Sequence, residues 1–209
     1  MADIRLAALT IFNTPLLNKV LRAASMLYLK MAGWRLSGDV PTVRRFVMVA
    51  APHTSNWDLP MTLALVFAFR LQVYFLAKHT LFRAPFGSFL RWLGGIPVDR
   101  NKANNFVEQA AELFSDRDDL ILLVPPEGTR KRVRFWKSGF YHIACGAQVP
   151  IVLGFIDFKL KVAGFGGTYV PTGNYDADLL EIQSFYAGIT GRNPDMTSEI
   201  VDVDTSKSP

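Results

Sequence analysis

The chain has 209 residues, of which 50% are hydrophobic and 12% aromatic, with a formal net charge of +5 and a mean hydropathy of +0.18. That suits one domain with a substantial core, and leaves apolar surface to spare for lipid or a membrane. The lone Cys145 excludes an internal disulfide and fits a reducing compartment, and three histidines with one cysteine offer no metal-ligand spacing.

Residues 3–12 and 15–32 read as two helices separated near Asn13, Thr14 and Pro15. In the second, Leu16, Leu17, Val20, Leu21, Ala24, Leu27, Tyr28 and Met31 recur at helical spacing on one face. Lys19, Arg22 and Lys30 gather on the opposite one. A helix lying in a membrane interface has this pattern, its basic residues turned to anionic phospholipid headgroups. An ordinary amphipathic helix packed on a core has it too. The opening residues lack the order of basic region, apolar region and cleavage site that marks a secretory signal. The apolar run at 59–69 is too short to cross a bilayer, which needs ~20 residues. The expectation is a peripheral protein on the cytoplasmic face of the cell membrane, with 1–34 as the membrane-associating segment.

Strands follow at 44–50, 72–77, 96–98, 120–124 and 149–156, alternating with helices at 59–70, 86–93, 103–114 and 138–146. The alternation predicts an α/β fold with a central, mostly parallel or mixed β-sheet flanked by helices. Residues 158–162 and 168–170, joined through Gly164 to Gly167, read as a terminal hairpin with Lys159 and Lys161 guarding its edge. A last helix is expected over 176–187, so the α/β domain spans 35–192. From Asn193 the composition turns polar and acidic, and 193–209 reads as a disordered tail. Residues 195–209 carry a net −3, so the rest carries +8 and favours an anionic partner.

His53 stands five positions before Asp58, directly after an apolar strand. On a regular helix the two side chains would lie about 140° apart, so a working pair needs a turn between them. Pro52, Ser55 and Asn56 supply turn chemistry, and Pro60 suits the first turn of the following helix. The carboxylate could then accept a hydrogen bond from one imidazole nitrogen, leaving the other free to take a proton. A buried histidine beside a helix-start aspartate is the alternative. Glu127, Gly128, Thr129 and Arg130 follow the strand at 120–124, at the end where α/β sheets carry their sites. Gly128 allows close backbone approach, Thr129 offers a hydroxyl, and Arg130 can grip a phosphate with two parallel bonds. Arg100 ends another strand-like segment and could be a second clamp. A Glu127–Arg130 ion pair within a turn is the competing reading. No serine, cysteine or threonine stands in a nucleophile elbow.

Four stretches occur in order: His53 to Asp58, Gly94 to Arg100, Val124 to Arg130, and Val149 to Val152. Together they resemble the four blocks of the glycerophospholipid acyltransferases, the 1-acylglycerol-3-phosphate type with its HX4D motif, over about residues 45–155. Lys78, Leu81, Pro85 and Gly87 match the pattern before the second block. The chain departs from the family at Pro52 (commonly Asn), Lys131 (often Ser) and Leu153 (frequently Pro).

The resemblance implies an O-acyltransferase that moves a fatty acyl group from acyl-CoA or acyl carrier protein to a lysophospholipid. The expected acceptor is 1-acyl-sn-glycerol-3-phosphate, giving phosphatidic acid. His53 would be the general base in a direct attack and Asp58 its orienting partner, with Lys78 as a possible oxyanion stabiliser. Arg100, Glu127, Gly128, Thr129 and Arg130 would bind the acceptor phosphate. No metal and no bound cofactor are implied. The acyl chain is expected near 59–69 or 86–93. Arg130, Lys131, Arg132, Arg134 and Lys137, interleaved with Phe135 and Trp136, read as a surface for headgroups or the acidic end of the donor. A solvated loop would look the same, and no nucleic-acid fold is evident. Another lysolipid acceptor, a thioester hydrolase and a non-catalytic lipid-binding protein are the rival readings.

Overall fold

The computed structural model describes residues 6–98, 103–115 and 117–198. Its strands are β1 (Arg35–Ser37), β2 (Arg45–Ala51), β3 (Val73–Lys78), β4 (Gly95–Val98), β5 (Leu120–Val124), β6 (Ile151–Asp157) and β7 (Val162–Tyr169). Its helices are α1 (Leu17–Met31), α2 (Asp58–Phe69), α3 (Gly87–Trp92), α4 (Ala103–Glu112), α5 (Gly139–Ala147) and α6 (Tyr175–Tyr186). The strands form one sheet in the order β1-β7-β6-β2-β5-β3-β4. From β6 to β4 all neighbours pair in parallel, as βαβ connections require, while β7 runs antiparallel to β6. The mostly parallel α/β architecture read from the sequence is thus the one that forms.

Period-2 alternation assigns the two faces. Val47 and Val49 of β2 pack with Phe140 and Ile143 of α5 and Ile182 of α6, whereas Phe46 and Met48 turn to the opposite face and meet Val66 and Phe67 of α2. Each such buried side chain contributes roughly 1.5–3 kcal/mol. Since α2 lies between the sheet and α1, it is apolar on nearly every side, as a helix covered on both faces must be. Arg70 in the left-handed region ends it, its N–H reaching back to Phe67 O and Val66 O.

Several expectations change. Residues 6–12 are not helical. Asn13 Oδ1 accepts from Thr10 N at 2.7 Å, Thr14 Oγ1 donates to Thr10 O at 2.6 Å, and Ile11 N donates to Trp92 O at 2.8 Å. Local side-chain bonds outcompete a helix there, and Ile11 and Phe12 plug the α2 face of the core instead. The predicted apolar face of α1 is split. Leu17 and Leu21 pack inward with Leu29, while Val20, Leu27 and Met31 remain exposed beside Lys19 and Lys30.

The hairpin turn falls at 158–161, where Asp157 Oδ1 accepts from Lys159 N and Leu160 N, and the glycine run lies inside β7. Gly164 is needed there because a Cβ would stand 1.8 Å from Ser37 O of β1, a strand the sequence reading missed. Residues 193–198 fold against the domain rather than trailing away: Asn193 bonds Thr54 twice and Ser198 Oγ accepts from Val133 N.

Candidate active site

β2 lies between β5 and β6 in the sheet, and its carboxyl end releases the chain into the loop that carries His53. The loop runs from a cis Ala51–Pro52 bond to Asp58 at the start of α2. This turn brings together what helical geometry would hold apart: His53 Nδ1 stands 3.0 Å from Asp58 Oδ2. The same oxygen accepts from Thr54 N at 2.8 Å and Ser55 N at 2.9 Å, so the carboxylate closes the loop around itself, and its charge in the first turn suits the helix dipole. Asp58 is buried while the His53 side chain keeps 26% of its surface open. With Nδ1 committed to the carboxylate, Nε2 is the nitrogen left for an incoming group.

Glu127 arrives from the end of β5, the neighbouring strand, and its Oε1 accepts from His53 N at 3.0 Å. Its other oxygen is buried and has no hydrogen-bond partner among the described residues. Burial pushes the carboxyl above its ordinary range, an effect the His53 N–H offsets only in part. Glu127 is therefore turned under the histidine rather than outward. Gly128 has φ +64, and a Cβ on it would sit 3.0 Å from the Lys137 side chain. Thr129 and Arg130 are exposed on the rim, with Thr129 Oγ1 accepting from Lys131 N at 3.3 Å. Lys78 is exposed at the end of β3, one strand beyond β5. Arg100 lies outside the described residues. His53, Asp58 and Glu127 thus form one bonded group, with Gly128 to Arg130 and Lys78 on adjacent strand ends.

An apolar cavity opens beside His53 and Asp58 and runs between α2 and the sheet. Thr62, Leu65, Val66 and Phe69 line it from the helix, Met48, Leu123 and Gly154 from the strands, and Leu71 and Phe165 also border it. It follows α2, a helix about 18 Å long. The first of the two stretches named for an acyl chain, 59–69, borders this cavity; α3, in the second, does not. Sequence reasoning missed the strand side of the cavity, the Thr54 and Ser55 amides and the proximity of Lys137 to Gly128. The glycine at 154 on a core strand was the available signal for the first.

A family model described as Acyltransferase matches residues 35–153. The chain belongs to the acyltransferase family. The match takes in β2 to β5 and the segments carrying His53, Asp58, Lys78 and Glu127 to Arg130. Among solved structures, this family member is similar to the 1-acyl-sn-glycerophosphate (LPA) acyltransferase PlsC from Thermotoga maritima. The TM-score is 0.55 at 19% sequence identity, covering 80% of this chain and 76% of that one, a likeness of fold. No curated protein matches the sequence significantly.

Proposed function

We propose that this acyltransferase moves a fatty acyl group from acyl-CoA or acyl carrier protein to the hydroxyl of a lysophospholipid, 1-acyl-sn-glycerol-3-phosphate being the acceptor that fits best. The observation that carries the reading is the His53–Asp58 pair, 3.0 Å apart, at the mouth of an apolar cavity. A base without such a cavity would serve many reactions, and a cavity without a base would serve storage alone.

In this mechanism His53 Nε2 takes the proton from the acceptor hydroxyl as its oxygen attacks the thioester carbonyl. Asp58 holds the imidazole and balances its transient positive charge. The tetrahedral intermediate collapses, the carbon–sulfur bond breaks, and the imidazolium returns the proton to the leaving thiolate. Lys78 is the candidate for steadying the oxyanion. Glu127 keeps the His53 backbone in place, while Arg130, Thr129, the Gly128 backbone and Arg100 bind the acceptor phosphate. The acyl chain lies along α2.

The exposed Val20, Leu27 and Met31 of α1, with Trp57 and Leu59 at the start of α2, favour work at an anionic membrane surface. Among the described residues no helix is long and apolar enough to cross a membrane. The basic run from Arg130 to Lys137 suits lipid phosphate or the acidic donor. The test is thiol release from acyl-CoA by the purified chain, with and without 1-acylglycerol-3-phosphate. Acceptor-dependent release, lost in His53→Ala, supports the reading. Release without acceptor points to hydrolysis and refutes it, and vesicle binding with no release from acyl-CoA or from acyl carrier protein marks a lipid-binding protein.

A further inference from the structure

We infer that the segment from Thr190 to Ser198 is a strap that holds the His53 loop against the basic loop, with Asn193 as a positioning residue for acyl transfer. Its catalytic meaning rests on the function proposed above. The segment lies well beyond residue 153, where the family match ends.

The loop that carries His53 has no regular structure before Asp58, so each of its backbone groups needs a partner supplied from elsewhere. Thr54 N is satisfied by Asp58, but its carbonyl and hydroxyl are not. Asn193 supplies both. Its Nδ2 donates to Thr54 O at 2.9 Å, and its backbone N donates to Thr54 Oγ1 at 3.1 Å. Two bonds from one residue fix both the position and the rotation of Thr54. The Thr54 amide in turn holds Asp58 Oδ2, the oxygen that receives His53 Nδ1. Asn193 therefore reaches the imidazole through Thr54 and Asp58.

Gly191 permits this approach. A Cβ there would stand 2.6 Å from Thr54 Oγ1 and 2.7 Å from its methyl carbon. The strap is pinned at both ends. Phe158 N donates to Thr190 O at 2.9 Å, and Val133 N, in the basic loop, donates to Ser198 Oγ at 3.2 Å. One segment thus touches the loop with the base and the loop proposed to face the phosphate. No strap residue belongs to a hydrophobic core cluster. Thr190 anchors it at the β6–β7 turn, and its bonds to Thr54 and Val133 run to the two loops of the site, the arrangement of a positioning element.

The test uses the full chain and the variants Asn193→Ala and Gly191→Ala. Three quantities are read: amide hydrogen exchange at Thr54 and Ser55 without substrate, the melting temperature, and kcat with acceptor KM for thiol release from acyl-CoA. The expected result is exchange faster by about tenfold at both amides, and kcat lower by about tenfold or more. Acceptor KM stays close to wild type, and the melting temperature falls by only a few degrees, the cost of one orphaned buried carbonyl. Ser198→Ala, which frees the basic loop, raises acceptor KM and leaves kcat nearly unchanged. Unchanged exchange in both strap variants overturns the inference, as does faster exchange with kcat intact. If the wild-type chain transfers nothing, the catalytic role falls with the proposed function. The exchange rates still decide whether Asn193 holds the loop.

Discussion

Two buried aspartates divide the labour of this molecule. Asp178 in α6 accepts from Tyr141 OH at 2.7 Å, Tyr169 OH at 2.8 Å, and Thr172 through both N at 2.7 Å and Oγ1 at 2.6 Å. Both its oxygens are engaged, and every donor belongs to the domain's own framework. Asp58 gives one oxygen to two loop amides and an imidazole, while its other oxygen has no hydrogen-bond partner among the described residues. The first carboxylate is saturated and closed, tying α5, β7 and α6 together. The second holds a half-open histidine beside a cavity. Burial alone marks neither as functional; what separates them is whether the hydrogen bonds end within the fold or lead to a group that solvent and substrate can reach.

The sharpest way to break this contrast is a pair of substitutions. His53→Ala is expected to lower kcat about a thousandfold, the scale of a lost general base, with little change in melting temperature. Equal activity in wild type and mutant would remove the histidine from the chemistry. Asp178→Ala should do the reverse, costing about 3 kcal/mol of stability by orphaning buried donors while kcat per folded molecule holds. Denaturant titration beside initial rates separates the two.

Acid makes the same distinction. Burial alone would raise the Asp178 carboxyl, but the bonds from Thr172, Tyr141 and Tyr169 outweigh it and hold the group below its ordinary value of 3.8. A carboxyl depressed in the folded state contributes stability that is present above the ordinary value and lost as pH falls through the depressed one. Wild type should therefore lose stability more steeply than Asp178→Ala in strong acid, a difference visible in melting temperatures taken below pH 3.8.

Glu127 tests the border between the two regions. Its carboxyl is raised by burial, so ionising it weakens the fold as pH climbs from the ordinary value of 4.5 through the raised one. Glu127→Gln keeps an oxygen for His53 N and should flatten that slope at near wild-type activity. Glu127→Ala should cost about 1–3 kcal/mol and lower kcat, because the partly buried His53 N–H loses its partner. Similar behaviour of the two variants would show that the carboxylate does more than hold the loop. The smallest effect belongs to the far end of the cavity. There Phe69 meets Phe165 with ring centroids 4.8 Å apart. Phe69→Ala should shift donor preference severalfold toward longer chains with the pH profile unchanged, the discrimination expected of apolar pockets.

Much of this was written locally. Apolar runs of strand length, the Pro52 to Pro60 turn and the spacing of His53 and Asp58 foretold β2, the loop and α2, because period and turn chemistry act over a few residues. The same locality explains the errors. By local signals alone residues 158–170 read with strand and turn exchanged, since glycines mark a turn in isolation and a close approach only when a neighbour such as Ser37 is known.

The sequence by itself determined the family blocks, the order of strands and helices, and the pairing of His53 with Asp58. Only the tertiary structure decided that Glu127 turns under His53 from 74 positions away, and that Asn193 reaches Thr54 across 139. It also decided which side of α1 faces outward. Periodicity states that a helix has two faces, but which one is covered depends on the shape of the surface it meets, and here that surface is α2, itself covered on both sides.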